Sequence, residues 1–235
     1  MKNLLSFSFI FLMSSHLLLA QLSGTRNVPS ENYPNFQAIV DSLNLYEINA
    51  GGIVFEVSGD QVFNHSPLLL SGTGNFDSPI IIQWNQTGEK PIVNITGTSD
   101  SDEAGITLLG TDYITIDGIS ILAENSLLEY GLFLTNAAID NACQHNVFQN
   151  LDISLDKTNT NQTIGVNVVT EEEPTLSAGI HADNKFFNNT IQNCIMAYNF
   201  DSGTGNVNFM GFDNEVGTIN EGISLITDVS LCGVY

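Results

Sequence analysis

Two stretches decide the fold: Asn146-Val147-Phe148-Gln149-Asn150-Leu151-Asp152-Ile153 and Asn184-Lys185-Phe186-Phe187-Asn188-Asn189-Thr190-Ile191. They match at a shift of 38 (184 − 146), with Asn, Phe, Asn and Ile at common positions. Ile116-Asp117-Gly118-Ile119-Ser120-Ile121 fits the same frame 32 residues before the first (148 − 116). In that copy Ile114 and Ile116 share one parity, while Ile119 and Ile121 share the other. A bend at Asp117-Gly118 keeps both pairs pointing into one core, and glycine supplies the backbone freedom for it. Each unit follows a Gly-apolar pair: Gly105-Ile106, Gly131-Leu132 and Gly179-Ile180, with a weaker copy at Gly222-Ile223. Units this small cannot close a core alone, but stacked copies can.

Working outward, the same period-two alternation covers most of the chain. Ile53, Phe55 and Val57 form one run, Ile80, Ile82 and Trp84 a second, and Ile92 to Ile95 a third. Shorter runs follow at Ile106/Leu108, Leu132/Leu134, Ile153/Leu155, Val166/Val168, Val207/Phe209 and Ile223/Leu225. Gly, Asn, Asp, Ser and Thr separate them, as expected of very short strands with one buried face. An antiparallel sandwich also has many short strands, but it needs hairpins. Among Asn-Gly and Asp-Gly dipeptides only Asp117-Gly118 occurs, so the pattern favours a right-handed parallel β-helix, an all-β solenoid. Thr158–Thr163 and Glu171–Thr175 read as loop excursions from its coils.

Before the strands, Phe36, Ile39, Val40 and Leu43 fall at i, i+3, i+4 and i+7, the stripe of a short amphipathic helix. Pro34 fits its first turn and Gly51-Gly52 follows its end. Lys2, an apolar run over residues 4–13 and Leu17–Leu19 before Ala20 read as a Sec-type secretory signal. The expected organisation is a signal peptide over 1–20, an extended lead-in and capping helix over 21–50, and β-helix coils over 51–235.

The chain has 26 acidic and 5 basic residues, a net charge of −21, or 4 − 26 = −22 without residues 1–20. Nucleic-acid binding and attachment to anionic membranes both need clustered Lys and Arg, so both are excluded. No membrane insertion is expected once the signal is removed. Cys143, Cys194 and Cys232 are too widely spaced for a zinc site. Their apolar or Asn-rich contexts favour buried thiols, with a Cys143–Cys194 bridge as the alternative.

The chain resembles the secreted parallel β-helix repeat proteins of Bacteroidetes type, within the pectate-lyase-like superfamily. The resemblance rests on Tyr33-Pro34-Asn35-Phe36 with Ile39, Val40 and Leu43, on Gly52–Asp60 with Ser78–Gln83, and on Thr111–Ile121 with the Asn-x-Phe-x-Asn units. It spans most of residues 33–225. It implies an exported protein at the cell surface or beyond. Members commonly end in a β-sandwich sorting domain read by the type IX secretion system; the run to Tyr235 shows none and reads as a truncated member. Such motifs define a fold far better than an activity.

For chemistry, a lyase of this fold requires a basic residue, and Arg26, Lys90, Lys157 and Lys185 are the only ones beyond residue 20. Lys185 sits at a variable repeat position, expected to face solvent. An inverting glycosidase needs two carboxyls about 6.5–9.5 Å apart; Asp112, Asp117, Asp140 and Asp152 are the available set, and turn capping is the favoured reading of each. Polygalacturonase relatives carry Asp pairs, His-Gly and Arg-x-Lys, none of which occurs here. Of His65, His145 and His181, the last two precede the Asn-x-Phe units only approximately in register; a shared metal or acid–base role is the alternative, and polar turn residues are the favoured reading. The acidic clusters Asp100-Ser101-Asp102-Glu103 and Glu171-Glu172-Glu173 can attract Ca²⁺ but match no calcium motif, so no cofactor is expected. Asn146/Asn184 and Asn150/Asn188 read as inward amide ladders. Asn85, Asn94 and Asn161 lie in glycosylation-type triplets that matter only in a eukaryotic source.

No catalytic residue is assigned. The expected function is a non-catalytic module for extracellular or cell-surface binding or adhesion, with glycans among its partners. The alternative is a carbohydrate-active enzyme with carboxylates on the β-helix face, beside exposed aromatics such as Tyr113, Tyr130 or Tyr198.

Overall fold

The computed structural model describes residues 21–98, 103–170 and 174–201, together with the strand backbone of 215–217, 225–226 and 229–231. The leader, Asp100–Asp102, Glu171–Glu173, the Val207/Phe209 run, the Gly222-Ile223 copy and Cys232 lie outside the described residues.

The described residues open with β1 (Leu22–Val28) and α1 (Phe36–Leu45). Six coils of three strands follow among the described residues. They are β2 (Ile48–Val57), β3 (Val62–His65) and β4 (Leu68–Leu70), then β5 (Ile80–Trp84), β6 (Ile92–Ile95) and β7 (Ala104–Leu109). The third coil is β8 (Ile114–Asp117), β9 (Ser120–Ala123) and β10 (Tyr130–Thr135). The fourth is β11 (Val147–Gln149), β12 (Asp152–Ser154) and β13 (Ile164–Val169). The fifth is β14 (Lys185–Phe187), β15 (Thr190–Gln192) and β16 (Cys194–Asp201), and the sixth β17 (Glu215–Gly217), β18 (Leu225–Ile226) and β19 (Val229–Leu231).

First strands pair with first strands, second with second and third with third, giving three wholly parallel sheets, A, B and C. The fold is a parallel β-helix. The repeat frame is the physical register: Phe148 lies opposite Ile116 on one side and Phe186 on the other. Ile153 lies likewise between Ile121 and Ile191. The two phenyl rings stack at 5.1 Å with 17° between their planes.

The core is therefore a set of columns running along the coil axis. Sheet A contributes Phe55, Ile82, Ile116, Phe148 and Phe186; sheet B contributes Phe63, Val93, Ile121, Ile153 and Ile191; all are buried. Sheet C adds Leu68, Ile106, Leu132, Val166 and Tyr198. Burial of each large apolar side chain contributes about 1.5–3 kcal/mol, against a backbone entropy cost that no single coil could offset.

Corners are set by residues that tolerate positive φ. Between sheets A and B these are Gly118 (φ 70°), Asn150 (55°) and Asn188 (53°), the expected bend and its repeats. Between sheets C and A they are Tyr113 (52°), His145 (58°) and Asp183 (56°). A Cβ at Gly118 would also crowd Trp84, whose own Cβ lies 3.0 Å away.

Several details refine or depart from the sequence expectations. Residues 22–28 of the extended lead-in form a strand of sheet A, paired in parallel with β2 from Leu22 to Val28. Asn35 caps α1, its side chain accepting from Ala38 N at 3.1 Å, so Pro34 precedes the helix. The helix ends at Tyr46, a short connection before Gly51-Gly52 as read, and those glycines lie within β2. The helix stripe itself is as read: Phe36, Ile39, Val40 and Leu43 are its buried residues. The Gly-apolar column continues through Gly165-Val166 and Ala197-Tyr198, whereas Gly179 sits in a 3₁₀ turn (Ser177–Gly179). The physical reason is that a Cβ at Gly105, Gly131 or Gly165 would meet the γ-methyl of Ile121, Ile153 or Ile191 at 2.8, 2.3 or 2.4 Å. No disulfide joins Cys143 to Cys194; both are buried.

Candidate functional site

The residues singled out for chemistry separate into corners and outer faces. At the corner between sheets C and A, Tyr113, His145 and Asp183 occupy equivalent positions on three successive coils. The Tyr113 and His145 rings stack at 4.6 Å, and His145 Nδ1 lies 3.3 Å from Asp183 Oδ2. Asp112 adjoins them. Its Oδ1 accepts from Gln144 N at 2.7 Å, and its own N–H donates to Thr73 Oγ1 at 3.0 Å. Partial burial raises the Asp112 carboxyl above its ordinary range, opposed by the Gln144 hydrogen bond and the nearby His145.

The other expected carboxylates lie elsewhere, each tied to a neighbouring coil. Asp117 accepts from Gln149 Nε2 at 2.8 Å and Asn150 Nδ2 at 2.6 Å. Asp140 accepts from Thr175 N and Leu176 N, both at 2.7 Å, and from the Thr175 hydroxyl, which together hold its pKa below the ordinary value. Asp152 accepts from Lys90 Nζ at 2.7 Å and Ser120 Oγ at 3.3 Å. Each of the three therefore holds groups of other coils, one coil away for Asp117, Asp140 and the Ser120 contact of Asp152, and two coils away for Lys90.

The histidines do not form a common site. His181 is buried, with Nδ1 accepting from Cys143 N at 3.1 Å and Nε2 lying 3.0 Å from Val169 O. Nδ1 is thus an acceptor, and Nε2 carries the proton and donates. Desolvation lowers its pKa to about 4, the two backbone contacts acting against it. Burial pushes the adjacent Cys143 thiol up to about 12, and its Sγ lies 3.4 Å from Leu108 O. A thiol so hard to ionise is a poor nucleophile. Burial likewise lowers the pKa of His65, whose Nε2 is enclosed without a partner.

The amide ladder forms at Asn146 and Asn184, both fully buried. Asn146 Nδ2 donates to Thr111 O at 2.7 Å and to Asn184 Oδ1 at 2.9 Å, and its Oδ1 accepts from Ile114 N at 2.9 Å. Asn184 Nδ2 continues it to Cys143 O at 2.9 Å. Asn150 and Asn188 are not its counterpart; their left-handed backbone places them at the corner. A further buried amide stands next door at Asn189, which accepts from Leu151 N and donates to Phe148 O, both at 3.0 Å.

Of the three aromatics named as surface candidates, Tyr198 is in the core, 2 % exposed against Phe186. Tyr130 is half-buried on sheet C beside Phe133, ring centroids 5.3 Å apart. Lys185 lies on the outer face of β14, half-buried. Register also exposes a pair that the sequence hid. Glu56, Gln83 and Asp117 form one outer column of sheet A, which leaves Glu56 and Asp117 two rungs apart, a backbone separation of about 9–10 Å. Among the described residues no group of three or more His, Cys, Asp or Glu is placed to hold a metal, and no helix is long and apolar enough to cross a membrane.

Comparison of the chain with protein families, with curated proteins and with solved structures returned no match.

Proposed function

We propose that the chain is an exported β-helix module that binds extracellular or cell-surface glycans without cleaving them, allied to the secreted Bacteroidetes-type repeat proteins. One observation carries this reading. Asp112, Asp117, Asp140 and Asp152 each hold the backbone, an amide or an ammonium of another coil. Such groups stabilise the stack, and the coils then serve as a rigid scaffold for their outer faces. Rigid, preformed faces bind with little ordering cost, which suits an extended polymer. The −21 charge points to partners that are not themselves strongly anionic.

A polysaccharide panel scored for both retention and new reducing ends tests the proposal. Retention without new ends is expected, and release of reducing ends from any glycan overturns it. The Glu56/Asp117 column gives the enzyme reading a specific form, an inverting hydrolase with those two carboxyls. On that reading Glu56→Gln abolishes the release of ends, whereas on the binding reading there is no release to abolish.

A further inference from the structure

We infer that the glycan lies along the coil axis on the outer face of sheet C, and that it is an uncharged polysaccharide. The inference rests on the binding reading above and gives it a face and a ligand class. Register sets Leu69, Thr107, Phe133, Asn167 and Asn199 in one outward column over five successive coils. Successive rungs are about 4.8 Å apart, close to the advance of one pyranose ring in an extended chain. One sugar per rung is therefore commensurate with the column.

The chemistry of the column suits that occupant. Phe133, with Tyr130 against it at 5.3 Å, presents an aromatic surface on which the C–H face of a pyranose can stack. Asn167 is 4 % exposed, and its Oδ1 accepts from Asn199 Nδ2 at 2.8 Å. That bond fixes the half-buried Asn199 amide and leaves its Oδ1 without a partner among the described residues. The half-buried Thr107 hydroxyl is likewise bonded to no described residue. A hydroxyl, a ring and an amide oxygen thus lie along one line, and every side chain in that column is uncharged. A neutral chain gains hydrogen bonds and stacking here. A polyanion would meet no cation in the column and the repulsion of the whole molecule.

The test is affinity electrophoresis of the full chain through gels containing hydroxyethyl cellulose, xyloglucan, mannan or polygalacturonate. Retardation by at least one neutral polymer is expected, with none by polygalacturonate. Phe133→Ala and Asn199→Ala should each weaken the retarding affinity about tenfold or more, while Thr115→Ala on the outer face of sheet A leaves it unchanged. Phe133→Leu, which keeps most of the apolar area, isolates the ring should the alanine variant fail to fold. Retardation that survives both Phe133→Leu and Asn199→Ala overturns this inference and leaves the binding reading standing. Retardation by polygalacturonate alone also overturns the inference. A wild-type chain retarded by none of the polymers overturns both.

Discussion

Truncating Asn146 to alanine is the sharpest perturbation of the stack. In the folded chain its side chain satisfies Ile114 N and Thr111 O and links to Asn184 Oδ1, at 2.9, 2.7 and 2.9 Å. Asn184 Oδ1 keeps a second donor, Asn146 N at 3.2 Å, and so is not stranded. Ile114 N and Thr111 O lose the partner that Asn146 gave them, at a site with no exposure for the side chain. Each buried group left unpaired costs about 1–3 kcal/mol, so the variant should lose about 2–6 kcal/mol. A domain of this kind holds about 5–15 kcal/mol in all, so the loss is a large share. Urea melts followed by circular dichroism measure it as a fall in midpoint at similar slope. A loss below about 1 kcal/mol would refute the reasoning, because it would mean that water or another group already serves those backbone atoms.

Three further outcomes follow from the same geometry. His181 has its pKa depressed from 6.5 to about 4 in the folded chain, so the unfolded chain binds the extra proton first; its contribution is complete above pH 6.5 and is lost as pH falls towards 4, a difference of about 3 kcal/mol. Urea midpoints across that window should slope more steeply for the wild type than for His181→Gln, and parallel profiles would contradict the assignment. Gly131→Ala forces a Cβ to within 2.3 Å of Ile153 Cγ2 and 2.6 Å of Gly165 O and should cost about 1–3 kcal/mol, whereas Ala197→Gly in the same column should cost only about 0.5–1 kcal/mol; equal losses in thermal melts would sink the steric explanation. Phe148→Ala removes a fully buried ring stacked on Phe186 and should lower stability by about 3–5 kcal/mol, checked by the same urea melts.

Much of the fold was legible because the side-chain period along a strand is fixed at two and the coil register is carried by repeated residues. Phe148 and Phe186, Ile121, Ile153 and Ile191, and the Gly118 bend could all be read from spacing alone. The glycine column was read with one wrong member, Gly179, because the reason for glycine there is the approach of isoleucines from another sheet, which spacing does not show. Asn150 and Asn188 recur as faithfully as Asn146 and Asn184, yet one pair turns a corner and the other is buried; backbone φ distinguishes them, and sequence does not carry it. Tyr198 reads as a surface aromatic, but register sets it in line with Val166 and Leu132. The Lys90–Asp152 bridge and the Glu56/Asp117 column join residues about sixty positions apart. Neither is visible until the loop length of every intervening coil is known.

The most direct test of the account is a pair of cysteine cross-links across one rung. Thr115 and Val147 are register partners on the outer face of sheet A, about 4.8 Å apart in backbone, within disulfide range. Thr115→Cys with Val147→Cys should oxidise to a disulfide, mapped by peptide mass spectrometry. Thr115→Cys with Gln149→Cys, two residues out of register and more than about 7 Å apart, should not. A bond in the second pair but not the first, or in neither, would contradict the parallel stacking of these two coils, offset here by 32 residues (147 − 115).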